Sequence, residues 1–342
     1  MITQQEIINR FFSFTSKRGY CKKERSNLVS PYFDNEFNLS AGHQYVLPIL
    51  KNPEKEELVK IAINEICIRR IDLEKLGASA CHLLTFEMGV MGIFGYIDDL
   101  KPTLSTLLQD MLDLLVFFGF SMDDIYFSVC DGVTVLHKKY PADTLSYELL
   151  LEKGVKDSHL VKTKGRQNFI FSNGEERPAG NSIEIYYKRN STYTEIASVN
   201  VYKYLFSDGK LHPMTNQAIG GGFGFDRIPY LLNGCNSVFD IPPFSTFAER
   251  IASCFASEIE FELNRDKIYR MIELIKTLLF IENDGQLPDS TPHGKIMKGF
   301  LNKLNSEIGY LGLEQKKIFD LGVSSVREHY STRYLLEKRA SL

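Results

Sequence analysis

Apolar residues recur at helical spacing from the start of the chain. Ile7, Ile8, Phe11, Phe12 and Phe14 predict a first helix over residues 3–17 with one buried face. After Gly19 the pattern breaks into short mixed segments at 27–29 and 37–39, then turns helical over 53–61. Residues 65–70 and 83–88 read as strands. Residues 103–118 read as a long helix opening near Pro102-Thr103, and 125–130 alternate as a strand. A helix over 143–153 stops at Gly154. The Gly-, Asn-, Arg- and Pro-rich segment 165–181 reads as a loop. Strand-like runs follow at 182–188 and 195–206, with a hairpin turn at 207–209. A glycine-rich stretch, 220–224, leads into an amphipathic helix over 225–232.

Beyond about Phe239 helical patterns dominate, over 244–261, 266–282, 295–308 and 314–340. Strands in the first two-thirds and helices in the last third predict an α+β chain. Its division is an α+β domain over 1–240 and a smaller helical domain over 241–342. With 342 residues, 44% of them hydrophobic, the chain is long enough to bury one large core and an appendage. Its formal charge of -3 argues against gripping a polyanion mainly by charge. The six cysteines form no C-x-x-C pair and have no zinc spacing, so they read as buried free thiols in a reducing compartment. The apolar run 114–120 falls well short of the roughly 20 residues of a membrane span. Arg10, Lys17 and Arg18 suit a transit peptide, but the apolar face of the first helix suits folded structure better, and the expected location is cytoplasmic.

Several motifs follow in a fixed order. Phe11-Phe12 is followed by Lys17-Arg18-Gly19-Tyr20, then by Ala41-Gly42-His43-Gln44-Tyr45. Next come Cys67-Ile68-Arg69 with Asp72-Leu73-Glu74 and Gly77, then His82, Thr85-Phe86-Glu87-Met88, Gly92, Phe94 and Gly95. Later stand Glu184-Ile185-Tyr186-Tyr187, Glu195-Ile196, Gly222-Phe223-Gly224-Phe225-Asp226-Arg227-Ile228, and Asp284-Gly285-Gln286-Leu287-Pro288. Taken singly each has a plainer reading. Arg69-Arg70 suits a solvated edge, the glycine run a turn, His82 a core position, and Lys295, Lys298 and Lys303 a wetted helix face. In this order they resemble the catalytic core of the alanyl-tRNA synthetase family, of class II, over nearly the whole chain.

The resemblance implies a class II antiparallel sheet flanked by helices, and a site for ATP and Mg²⁺. By motif position it assigns Arg69 to the α-phosphate and Arg227 to the ATP tail and the adenine face. ATP contacts fall on Phe86, Glu87, Gly222 and Gly224. Glu87, Glu184 and Glu195 stay open as magnesium ligands. Guanidinium groups suit this chemistry, because a carboxylate attacking a phosphate brings two anions together. Ile170, Glu184, Ala197, Ser198 and Gly220 fall in the acid pocket.

The departures from the pattern bear on function. The loop after the motif arginine is short, and Cys81 stands where the family has arginine. Ile170 and Ala197 replace tryptophans, Ser198 replaces an asparagine, and Gly220 replaces the aspartate that holds the ammonium of alanine. The expected function is ATP-dependent activation of a small carboxylic or amino acid as an acyl-adenylate. The expected acceptor is an amine, a carrier-protein thiol or a tRNA end, and not tRNA-Ala. Two alternatives stand beside it, a non-catalytic nucleotide- or partner-binding paralogue and a tRNA-binding or tRNA-aminoacylating protein, with or without a partner subunit.

Overall fold

The computed structural model describes residues 1–32, 36–39, 42–171, 176–331 and 333–334. In chain order the elements are α1 (Gln4–Lys17), β1 (Cys21–Lys23), α2 (His43–Lys51), β2 (Val59–Ile68), β3 (Thr85–Gly95), α3 (Leu100–Phe118) and β4 (Ile125–Cys130). There follow β5 (Val133–Val135), β6 (Lys138–Tyr140), α4 (Thr144–Glu152), β7 (Leu160–Thr163), β8 (Phe169–Ile170), β9 (Arg177–Arg189), β10 (Thr192–Ser207) and β11 (Lys210–Gly224). Helices α5 (Arg227–Leu232), α6 (Phe244–Ala252), α7 (Glu258–Leu263), α8 (Arg265–Asn283), α9 (Pro292–Tyr310) and α10 (Gln315–Tyr330) complete the chain. The α+β class is borne out.

One large sheet runs in the order β1-β2-β3-β11-β10-β9-β4-β7, with β8 added beside β9. Its centre, β2 to β4, is antiparallel as expected. Both edge pairs, β1 with β2 and β4 with β7, are parallel, so the sheet as a whole is mixed. The turn between β10 and β11 uses Asp208 and Gly209 at φ 50° and 74°, the left-handed pair that a tight two-residue hairpin requires. Helix α1 begins with a capping box: the Thr3 hydroxyl accepts from the Glu6 N–H and the Glu6 carboxylate accepts from the Thr3 N–H.

Four segments differ from the sequence expectations. Residues 53–61 are not the expected helix: from Val59 onward they join a ten-residue strand whose apolar side chains from Ile61 on are buried on both faces. The helix of this region is α2, disguised by Pro48 in its interior. The loop reading of 165–181 holds only in part, since β9 already begins at Arg177. Residues 177–181 have little strand propensity and are held by pairing with β10. Gly180 is needed there, because a Cβ would stand 1.9 Å from the Val201 carbonyl oxygen. The glycine stretch 220–224 is the end of a continuous strand, and its glycines lack positive φ. The expected helix over 244–261 is two helices, the second capped by Ser257. Of the expected helix over 314–340, residues 335–340 lie outside the described ones, as does Ala41. The six cysteines are free, but only Cys67 and Cys130 are buried. Among the described residues no helix is long and apolar enough to cross a membrane.

The back of the sheet packs on α1 and α3. Phe11 stands 5.1 Å from Phe225 and 6.1 Å from Phe223, ring to ring. The same core continues through α8, where Ile268, Met271, Leu274 and Leu278 are fully buried. Helix α8 is also tied to the sheet by a polar contact. The fully buried Glu273 carboxylate accepts from the backbone N–H of Leu84 (2.7 Å) and Thr85 (3.0 Å) and is ion-paired with the equally buried Lys276. The substitution Glu273→Ala strands two N–H groups and an ammonium in the core. It is expected to lower the unfolding free energy by about 3–5 kcal/mol, read as a shift of the urea midpoint.

Candidate functional site

On the front of the sheet, β3, β11, β10 and β9 form the floor of a cavity of about 470 Å³, and α2 and β8 border its inner end. Strand alternation decides which side chains face it. Val90, Gly222, Ser198 and Glu184 lie in one row across the four strands, and Gly92, Gly220, Asn200 and Ser182 in the next. A bulge at Ile196 shifts the β9–β10 register between Glu195 and Ala197. Glu195 and Ser198, three residues apart, therefore both line the cavity.

The cavity brings together Arg69, Phe86, Ile170, Glu184, Ala197, Ser198, Gly220, Gly222, Gly224 and Arg227, ten of the eleven expected residues. Arg69 follows β2, and its guanidinium lies 4.9 Å from the centre of the Phe86 ring, a cation–π contact that holds the plane in place. One face of the Phe86 ring thus carries the Arg69 head. Arg227, at the first turn of α5, donates through Nη1 to the Glu195 carbonyl oxygen at 2.8 Å and stands 3.6 Å from the Glu195 carboxylate. Ala197 borders the cavity while belonging to the core behind the sheet.

The eleventh residue, Glu87, does not face the cavity. Next to Phe86 on β3, it points to the opposite side, where it is buried and accepts from Arg333 Nη2 (2.8 Å), the Tyr334 hydroxyl (2.6 Å) and Asn64 (2.9 Å). Its assignment to ATP, and its candidacy as a magnesium ligand at this cavity, are corrected by strand alternation. Its backbone still serves the site. The Asp226 carboxylate accepts from the Glu87 N–H (2.7 Å), and the Glu87 carbonyl accepts from the Phe225 N–H (3.0 Å). This clamp fixes the start of α5, and with it Arg227. Burial pushes the Asp226 carboxyl up to about 7.

Glu184 and Glu195 remain as acids facing the cavity from neighbouring strands, with Asp72 also at its lining. Burial pushes the Glu184 carboxyl up to about 7. The hydrogen bond from the Ser182 hydroxyl opposes that shift, the neighbouring Glu195 adds to it, and Arg69 and Arg227 offset it. His82 lines the cavity mouth with Nδ1 2.6 Å from the Ser79 hydroxyl, and burial lowers its pKa. Among the described residues no three His, Cys, Asp or Glu side chains gather as a metal cage.

Sequence reasoning missed the inner lining: His43, Gln167, Tyr186, Asn200 and Tyr202. A signal for part of it was present. Once Ser198 is placed on the cavity face, a period of two carries Asn200 and Tyr202 to the same face, as it carries Tyr186 beside Glu184.

A family model described as tRNA synthetases class II (A) matches residues 6–339. The chain is 23% identical over 344 residues to the alanine–tRNA ligase of Solibacter usitatus, covering 94% of this chain and 38% of that one. It is 24% identical over 332 residues to that of Schizosaccharomyces pombe, covering 87% and 34%. It thus spans little more than a third of the length of these relatives. A crystal structure of apo Staphylococcus aureus histidyl-tRNA synthetase aligns at a TM-score of 0.43 with 11% identity, over 67% of this chain and 66% of that one.

The raised Glu184 value has a testable sign. The folded state holds this proton more tightly than an ordinary carboxyl at 4.5, so Glu184 costs stability as pH rises from about 4.5 through about 7. Measured by denaturation, Glu184→Gln is expected to match the parent near pH 4.5 and to exceed it by on the order of 3 kcal/mol near pH 8. A pH-independent difference would remove the assignment.

Proposed function

Because the chain belongs to the class II tRNA synthetase (A) family, we propose that its cavity binds ATP and activates a small carboxylic or amino acid as an acyl-adenylate. The observation that supports this most is that Arg69 and Arg227 line one cavity, both close enough to act on Glu184, over a floor that includes Gly220, Gly222 and Gly224. In the reaction an oxygen of the acid's carboxylate attacks the α-phosphorus, the bond to the bridging oxygen breaks, and pyrophosphate leaves with that electron pair.

Arg69 offsets the charge that builds on the five-coordinate phosphorus, and Phe86 keeps its guanidinium plane fixed beforehand. Arg227 is placed by the Asp226 clamp and receives the leaving phosphates. Gly222 and Gly224 leave the strand backbone open to the nucleotide. Glu184 and Glu195 fit a magnesium site of the kind that borrows most of its ligands from phosphate oxygens and water. When bound there, Mg²⁺ would neutralise phosphate charge. Rate enhancement comes from placement and fixed charge, without a covalent enzyme intermediate.

The acceptor we propose is an amine, a carrier-protein thiol or a tRNA end other than that of tRNA-Ala. Gly220 offers no carboxylate to the ammonium of alanine, and a short 3₁₀ turn, Arg70–Lys75, takes the place of the longer loop beyond Arg69. On the tail helix α9, Lys303 leans on Glu74 at 3.7 Å.

ATP–pyrophosphate exchange across a panel of amino and carboxylic acids tests the reading. One acid is expected to stimulate exchange, and Arg69→Ala is expected to reduce it by about 100-fold or more. Exchange that survives Arg69→Ala would remove the mechanism. ATP binding without exchange for any acid would favour a nucleotide-binding role.

A further inference from the structure

The cavity extends well past the arginines. Beyond the row of Gly222, Ser198 and Glu184 it runs on to His43, Val46, Phe94, Ile170, Asn200 and Tyr202. Two glycines keep this passage open. A Cβ on Gly220 would come no closer than 3.8 Å to the Met91 carbonyl oxygen or the Phe94 ring. One on Gly222 would stand 3.6 Å from Met88 Sδ and 3.8 Å from the Ser198 hydroxyl. These are ordinary contacts, so packing does not demand glycine at either place; the missing side chains widen the space above the sheet. Gly221, facing the other way, differs, because a Cβ there would stand 2.1 Å from Met111 Sδ.

The inner end is polar but not ionic. The His43 ring meets Tyr202 edge to face, with Nε2 3.3 Å from the Tyr202 hydroxyl. Its other nitrogen, Nδ1, is buried without a hydrogen-bond partner, and so is Oδ1 of Asn200. Burial, reinforced by the Arg177 and Arg69 charges, lowers the His43 pKa to about 4, so the imidazole is neutral near pH 7. Helix α2 is held over this end by the fully buried Glu65, whose carboxylate accepts from the Gly42 N–H at 2.8 Å. Two orphaned polar atoms on residues of one cavity are a costly arrangement for an apolar guest, since both would stay unpaired. A charged guest fares no better: a cation would face the Arg177 and Arg69 charges felt at His43, and Arg177 is already paired with Glu36.

We propose that this inner end is a specificity compartment for an acid whose chain ends in a neutral hydrogen-bonding group, a carboxamide or a hydroxyl, received by Asn200, Tyr202 and His43. The proposal rests on the adenylation reading of the cavity. A group that both donates and accepts can pair with the Asn200 amide, whose oxygen and nitrogen exchange places by a flip, and with the Tyr202 hydroxyl. Asn200 and Tyr202 are specificity residues, one row of the sheet or more beyond Ser198 and Glu184.

Non-hydrolysable acyl-sulfamoyl adenosines separate the two ideas, because they report binding whether or not the protein turns over. The probes are those of glutamine, asparagine and threonine, their methyl-ended isosteres, and that of glutamate, titrated by calorimetry at pH 7.5. At least one amide or hydroxyl probe is expected to bind tenfold or more tighter than its methyl isostere and than the glutamate probe. That ratio is expected to fall to near one in Asn200→Leu and to shrink in Tyr202→Phe, with thermal midpoints checking that both variants fold. Equal or better binding of the methyl-ended or carboxylate probe to the parent protein overturns the inference alone, as does a ratio that survives Asn200→Leu. Failure of every probe and of ATP to bind overturns the adenylation reading and the inference with it.

Discussion

The near-contact between α3 and β11 is the constraint on which the site depends. Gly221 lets Met111 press against the strand backbone, and Phe223 and Phe225 wedge in beside it against Phe11. The strand is therefore fixed from behind by dense apolar packing. Its other face can then be left nearly bare, as Gly220, Gly222 and Gly224. A cavity floor without side chains would be a weak place in most sheets. Here the rigidity comes from the side the substrate never meets.

Charge around the cavity is arranged on the same two-sided plan. Asp226 borders the cavity while its carboxylate grips the backbone of β3, and Glu87 sits behind the floor, gripped by Arg333 and Tyr334. In front, Arg69 rests on an aromatic ring and Arg227 on a carbonyl oxygen, so neither guanidinium is locked into a tight two-pronged carboxylate pair. Positive charge held by weak partners is positive charge available to an incoming anion. Glu184, its pKa raised by burial to about 7, is only partly ionised near neutrality and adds less repulsion than a formal count of acids suggests.

Much of this was legible in the sequence, and the unread parts share a cause. Helix α1 carries its own signals, a capping box and an apolar stripe, and it reads directly. Arg69 and Arg227 were placed by motif order, and ten site residues do gather around one cavity. What failed was information held between elements. Strand β2 is apolar on both faces, so it lacks a half-buried strand's alternation, while β9 begins with residues that only their partner strand makes extended. Glu87 was misplaced because a motif read as a string ignores that neighbours on a strand face opposite ways. The residues 43, 200 and 202 were missed because no single motif contains them; two strands and a helix bring them together.

The bulge at Ile196 has a consequence for how such a site can change over generations. The bulge is the extra residue that lets Glu195 share the cavity face with Ser198; past it, a single-residue deletion at Val199 would turn Asn200 and Tyr202 inward and present Val201 to the cavity. The polar lining would be exchanged for the apolar core in one step, and neither face would then be viable. Lineages of this fold are thus confined to substitutions, or to length changes in pairs, along that strand. Substrate preference drifts by replacing side chains at positions 198, 200 and 202, while the register that presents them stays frozen.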